Sequence, residues 1–374
     1  MENYNNTNKY ELDTPCLLLD LEILEQNIEK MISYLNANGK SLRPHAKTHK
    51  CSALAKKQIE MGAKGICVAK ISEAEKLAIA GLRNILITGP VVTKNKIERL
   101  IKLLQKDASI IIVVDNQENI LHLNELLAEK KNDLKLNVLI DINIGLNRTG
   151  IDAKDTIKLA ELINKCSNLI LCGIQAYAGN LQHIQSYAER KKLSINSLSK
   201  IAEIFSKLKT EIPTCKIFST SGTGTFDIDI AIPEITELQA GSYIFMDMEY
   251  LGIESQFSES NISFKPSLTV LSTVVSSNQE KIVTIDAGLK SIYKDGGIPK
   301  IIFPRNSNLI YDWFGDEYGK LTAIEKSPLP KIGEIVELIT SHCDPTVNLY
   351  NKYILTRGDK VAGLWDIDLR GCSE

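Results

Sequence analysis

Between Arg43 and Lys50 the sequence reads R-P-H-A-K-T-H-K, with one arginine, two histidines and two lysines in eight residues. That density allows two readings. It is a solvated basic loop, or one lysine is an amine ready to form an imine, since desolvation near other cations lowers a lysine's pKa. A second suggestive stretch is S-H-C-D-P-T at 341–346. In extended backbone, residues i and i+2 share a face, so His342 and Asp344 can reach one cation while Cys343 points away. Imidazole plus carboxylate suits Zn²⁺, Mn²⁺ or Mg²⁺ better than a thiolate-selective metal. Taken alone, H-x-D spacing also arises by accident.

Four further polar clusters follow apolar runs. D-I-N-I-G-L-N-R-T-G (141–150) carries Arg148, which fits either an anionic ring oxygen or a surface loop. Q-A-Y-A-G-N-L-Q-H (175–183) carries Tyr177 and His183. S-T-S-G-T-G-T (219–225) includes Ser221, Gly222, Thr223 and Gly224, and Q-A-G-S-Y (239–243) includes Gln239, Gly241 and Ser242. Gly/Ser/Thr turns of this kind can hold a phosphate through backbone N–H groups and hydroxyls without a P-loop.

The elements that position these clusters are legible in the hydrophobic pattern. Leu21, Leu24, Ile28, Ile32 and Leu35 stand at helical spacing in LEILEQNIEKMISYL. From about 17 to 245, short apolar runs alternate with amphipathic ones: GICVA (65–69), NILIT (84–88), residues 111–114, NVLIDIN (137–143), LCGIQAY (171–177) and IFSTSG (217–222), with a long helix near 184–208. About eight strand-like runs, most with a helical pattern between them, predict an α/β fold: a (β/α)₈ TIM-type barrel, whose function belongs at the C-terminal strand ends. No G-x-G-x-x-G follows the first strand, which argues against a dinucleotide-binding sheet. Beyond a boundary near 250–262, alternating runs and turn residues predict an antiparallel β domain. The expected division is therefore 15–255 for the barrel and 256–374 for the β domain, with residues 1–14 able to join the latter.

The 374 residues are 44% hydrophobic and 24% charged, with a formal net charge of −2. Such a chain has no general attraction for nucleic acid or anionic lipid, and no apolar run approaches the ~20 residues of a membrane span. The polar N-terminus lacks the pattern of a signal peptide, which points to the cytoplasm. None of the eight cysteines form C-x-x-C, so reduced thiols are expected.

The R-P-H-x-K-T-H-K motif, with TPCLLLDLEILEQNI before it and GAKGICVAKISEAEKLAIAG after it, resembles the D-threonine aldolase and D-serine dehydratase family. These are fold-type III pyridoxal-phosphate enzymes related to alanine racemase. The resemblance runs from Thr14 to Trp365 and Arg370-Gly371. It implies the same barrel plus β domain, pyridoxal 5′-phosphate and a divalent metal. By resemblance Lys47 is the imine-forming lysine, Arg148 lies beside the phenolic oxygen, and Tyr177 lies near the ring. Ser221–Gly224 and Gly241–Ser242 would hold the phosphate, and Gln239 would face the pyridine nitrogen, where alanine racemase carries arginine. His342 and Asp344 match the metal pair, and His183 a histidine acting on the substrate hydroxyl. Dehydratase members tend to carry H-x-C and aldolase members H-x-D, so the spacing favours a lyase cleaving D-threonine-like substrates to glycine and an aldehyde. D-serine dehydration to pyruvate and ammonia is the alternative. A non-catalytic cofactor carrier or a racemase would leave the metal pair without a role. A homodimer is expected, since related folds complete the site across a subunit interface.

Overall fold

In a computed structural model, residues 6–130, 133–256, 263–324 and 327–374 are described. Eight short strands form the first unit: Ser41–Leu42, Ile66–Val68, Ile85–Ile87, Ile111–Val114, Leu136–Asp141, Leu169–Ala176, Ile217–Thr220 and Glu237–Leu238. From the second strand onward each pairs in parallel with the next, and the first pairs with the last. A bridge between His45 and Cys67 joins the first strand to the second and closes the ring. This is the expected (β/α)₈ barrel.

The strands read as unbroken apolar runs because both faces are covered. Cys67, Leu86, Ile111, Val113 and Leu139 form one cluster inside the ring. Their neighbours Ile66, Val68, Ile85, Ile87, Ile112, Val114, Val138 and Ile140 pack in the larger cluster shared with the helices. Burying each such side chain contributes about 1.5–3 kcal/mol, so the two clusters hold the ring from both sides. The helix Leu21–Ala37 buries Leu21, Leu24, Ile28, Met31, Ile32 and Leu35 on one face. Asp20 caps it by accepting from the N–H groups of Glu22 and Ile23, satisfying two of the free donors at the helix start. The long helix expected near 184–208 is Tyr187–Glu211.

The second unit is a nine-stranded, mostly antiparallel sheet. Its strand Cys16–Asp20 lies inside the span of 15–255 expected for the barrel. It pairs instead with Leu268–Ser276, antiparallel, and with Lys352–Arg357, parallel. A run such as C-L-L-L is buried on both faces in either setting, so only long-range pairing separates the two. Asn6 and Lys9 also reach this sheet, donating backbone hydrogen bonds to Val361 and Asp359. Of the boundary expected near 250–262, residues 257–262 lie outside the described residues, as do residues 1–5. Asn27 ties the units together: its Nδ2 donates to the carbonyls of Ile244 and Lys265, and its Oδ1 accepts from the N–H of Lys265. All eight cysteines are free thiols. No helix among the described residues is long and apolar enough to cross a membrane.

Candidate active site

The barrel's C-terminal strand ends surround a cavity of about 160 Å³, whose lining includes His342 and Asp344 from the second unit. Lys47 opens into it from the turn after the first strand. The cationic cluster seen in sequence is dispersed by partners. Arg43 is buried against Glu237 in a bidentate pair, at 2.7 and 3.1 Å. Lys50 turns away to Glu73 at 2.5 Å and the carbonyl of Cys372 at 3.3 Å. Burial pushes His45 well down, and His49 down to about 3, so both imidazoles are neutral. Nδ1 of His45 accepts the Lys47 N–H, and its Nε2 faces the Thr88 hydroxyl at 3.1 Å, which fixes the turn that presents Lys47.

The lowered pKa expected for an imine-forming lysine is not what the surroundings of Lys47 produce. Burial pulls it down, but Asp344, with Oδ2 3.9 Å from Nζ, and then Tyr177 more than reverse this, and Lys47 is held above the ordinary lysine value. Cations are scarce around Nζ once Arg43 and Lys50 are paired elsewhere, and a carboxylate invisible in the local sequence takes their place. Arg148 lines the cavity with its guanidinium 5.9 Å from the centre of the Tyr177 ring, an arrangement that holds both side chains by cation–π attraction.

Gly222, Thr223, Gly241 and Ser242 line one wall, whereas Ser221 and Gly224 stand behind it. Ser221, at φ +70°, spends its hydroxyl on Asp229. Gly224 donates its N–H to Gln182 Oε1 at 2.9 Å. Gln239 also lines the cavity, and its Nε2 donates to Gln175 Oε1 and Ser219 Oγ, both at 3.0 Å. The wall fits an anionic cofactor on one specific ground. Thr48 Oγ1 is buried without a hydrogen-bond partner beside Gly241, a hydroxyl with unspent capacity next to bare backbone.

A Cβ on Gly241 would lie 2.5 Å from Thr48 Oγ1 and 3.0 Å from the carbonyl of His45. Gly241→Ala therefore displaces the turn that carries Lys47. We expect it to weaken pyridoxal-phosphate affinity by roughly tenfold or more, the equivalent of 1–3 kcal/mol of overpacking. Equilibrium dialysis measures this, and unchanged affinity would place the phosphate elsewhere.

His183, His342 and Asp344 complete the lining, and Ser242 Oγ donates to Asp344 Oδ1 at 3.3 Å. The extended H-x-D geometry expected from spacing holds only for His342. Cys343–Val347 is a short helix, and His342 is its N-cap in β conformation. Buried Asp247 starts it by accepting the Cys343 N–H at 2.8 Å, and Pro345 falls in the first turn, where its missing N–H costs nothing. Cys343 is fully buried, and burial first, then Asp247 and Asp344, push its thiol well up, away from the thiolate that binds metals. Burial lowers His342, but Asp344, Asp247, Glu249 and Asp295 together raise it above its usual value. His183 is lowered, chiefly by burial, which leaves a neutral imidazole able to take a proton. Its Nε2 lies 3.5 Å from Glu249 Oε2, and its ring stands 4.7 Å from Tyr250. Glu249 Oε2 is buried with no hydrogen-bond partner. His342 and Asp344 set an imidazole and a carboxylate on the same cavity, the nitrogen and oxygen donors that a divalent cation such as Mn²⁺ or Zn²⁺ takes, so the residues present fit a metal as well as the cofactor.

Thr48, Thr88, Gln175 and Tyr250 also line the cavity, and Glu249 and Asp295 stand beside it, contacts that the sequence pattern does not single out. Thr88 and Gln175 had a usable signal, a polar residue at the C-terminal end of an apolar strand. Glu249, Tyr250 and Asp295 had none, because they come from connections whose course depends on how the two units dock.

A closed barrel with its cavity at the strand ends, faced by a β domain, defines an alanine racemase-like enzyme. Residues 19–249 match the alanine racemase N-terminal domain, and residues 267–356 match a putative serine dehydratase domain. The chain belongs to the alanine racemase-like family that includes the D-threonine and 3-hydroxy-D-aspartate aldolases, which are lyases. It is 33% identical to a 3-hydroxy-D-aspartate aldolase of Paracoccus denitrificans, across 96% of this chain and 93% of that protein. It is 34% identical to a D-threonine aldolase of an Arthrobacter species, across 97% and 94%. The crystal structure of D-threonine aldolase from Filomicrobium marinum superposes with a TM-score of 0.93 at 32% identity, covering 100% and 99% of the two chains. Relatives named as dehydratases are more distant, at 26% identity.

Proposed function

We propose that this chain is a pyridoxal-phosphate- and divalent-metal-dependent aldolase of D-β-hydroxy amino acids, releasing glycine and an aldehyde from D-threonine or a related substrate. The observation that carries the reading is convergence: Lys47, His183, His342 and Asp344 line one cavity, with Lys47 Nζ 3.9 Å from Asp344. When bound, pyridoxal phosphate supplies an electron sink for the bond broken at Cα, and the ion a Lewis acid for the β-hydroxyl. Lys47 would hold the cofactor, with Thr48, Gly222, Thr223, Gly241 and Ser242 around its phosphate. Arg148 and Tyr177 would flank the ring oxygen, and Gln239 the ring nitrogen. His342 and Asp344 would hold the ion. His183 would take the hydroxyl proton on Nδ1, the nitrogen that does not face Glu249. Proton transfer of this kind is worth about 10²–10⁴ in rate.

Dehydration of D-serine is the second reading, favoured by the serine dehydratase match over 267–356. The placement of Cys343 weighs against it: this side chain is fully buried and does not line the cavity, and the position two after His342, where the H-x-C motif would carry its cysteine, is Asp344. Product analysis with D-threonine, 3-hydroxy-D-aspartate and D-serine decides. Glycine with an aldehyde supports the aldolase, and pyruvate with ammonia from D-serine alone overturns it. Chelation should abolish turnover and Mn²⁺ restore it, with the cofactor's visible absorption intact throughout. Asp344→Ala should lose metal affinity, whereas Cys343→Ser should bind metal as the parent does. The reverse pattern would move the dehydratase ahead.

A further inference from the structure

We propose that Asp295 is a positioning residue for His342, holding the imidazole by Nδ1 so that Nε2 is left for the ion. The inference rests on the metal reading above. His342 Nδ1 lies 3.2 Å from Asp295 Oδ2, within hydrogen-bond reach. A ring nitrogen that donates to a carboxylate carries its hydrogen, so the lone pair available to a metal is on the other nitrogen.

Glu249, Asp295 and His342 are close enough to one another, within 4.8 Å, to suggest a direct three-ligand site. Their placement favours orientation instead. His342 and Asp344 line the cavity, whereas Glu249 and Asp295 do not. Asp295 lies behind His342 with its side chain 57% exposed. Glu249 Oε2, at 3.6 Å from the same nitrogen, is beyond a hydrogen bond.

The segment carrying Asp295 is held in register with His342 on both flanks. The Tyr293 carbonyl accepts the Ser341 hydroxyl at 2.6 Å, and the Tyr293 N–H donates to Thr346 Oγ1 at 3.3 Å. Thr346 Oγ1 in turn donates to the carbonyl of His342 at 2.8 Å. Next in the chain, Gly296 has φ +80°, and a Cβ there would lie 2.4 Å from Cγ of Glu249. Only glycine lets the segment press on Glu249 and bring Asp295 to the imidazole. The D-G-G run at 295–297 is therefore a fitted part rather than a loose turn.

Calorimetric titration of the cofactor-loaded enzyme with Mn²⁺ tests this. Asp295→Ala should weaken Mn²⁺ binding about 10- to 100-fold, the usual cost of removing an outer partner of a metal-bound histidine. Asp295→Asn should stay within about fivefold of the parent, because its amide oxygen still accepts from Nδ1–H. Gly296→Ala should behave like Asp295→Ala although no donor has changed. The visible absorption of the cofactor should be the same in all three, a signal that general disruption of the site would move. If Asp295→Asn is as weak as Asp295→Ala, the carboxylate is itself a ligand and the positioning role is wrong. Unaltered affinity in Asp295→Ala refutes any role. Parent enzyme that cleaves D-threonine yet binds no Mn²⁺ removes the metal reading itself, a failure distinct from the other two.

Discussion

Alanine in place of Lys47 should leave a folded protein that lacks the visible absorption of covalently held cofactor. Turnover should fall by about 10⁴-fold or more, the scale on which enzymes lose rate when the nucleophile is removed. Folding should survive because the Lys47 side chain is 41% exposed, and its ion pair to Asp344 is long at 3.9 Å. Lys50→Ala is the matched control. Lys50 is spent on Glu73 and the carbonyl of Cys372, outside the cavity, so its loss should leave the absorption in place. Absorption retained in Lys47→Ala and lost in Lys50→Ala would reverse the assignment. The raised pKa of Lys47 adds a second expectation. The amine must lose its proton to join the cofactor, so rebinding to the apoenzyme should accelerate as pH rises toward the lysine's range. Asp344→Asn should bring that acceleration to lower pH, because it removes the charge that holds the ammonium.

The second large effect concerns stability. Arg43 and Glu237 are almost wholly buried and bidentate, and they join the segments after the first barrel strand and at the start of the last. Arg43 Nη1 also donates to the carbonyl of Asn84 at 2.6 Å and to its Oδ1 at 3.0 Å. Glu237→Gln would leave a guanidinium buried without its counter-charge. The expected cost is about 3–5 kcal/mol, a large share of the stability of any domain. Denaturant unfolding measures it, and a loss below ~1 kcal/mol would mean that water or the Asn84 oxygens satisfy the guanidinium without its counter-charge. Replacing both partners with apolar residues of similar size should cost much less, since that also removes the buried charge. Burial pushes Glu237 up, but Arg43 beside it more than reverses this and holds the carboxyl below its usual range. The stabilisation is therefore fully present above the unfolded carboxylate pKa and is lost as pH falls through the depressed folded value. Arg43 sits four residues before Lys47, so a partly loosened Glu237→Gln protein should also bind cofactor less tightly.

The sequence by itself determined the barrel, the two-unit order and the cavity location. Each depends on short-range pattern: apolar runs for strands covered on both faces, helical spacing between them, and polar clusters at strand ends. It also placed Lys47, His183, His342 and Asp344 among the candidates, because residue type and motif spacing carry that information. What only the tertiary structure decided was each group's partner. The eight-residue cationic stretch is not a cationic site once Glu237 takes Arg43, Glu73 takes Lys50 and burial neutralises two histidines. Those acids lie 194 and 23 residues away. The H-x-D pair is likewise reshaped by Asp247, 96 residues distant, which starts a helix at Cys343. The strand Cys16–Asp20 joins the far sheet through partners near 270 and 354. Charge, burial and strand pairing act through space, over distances of a few ångströms, and chain proximity does not encode them.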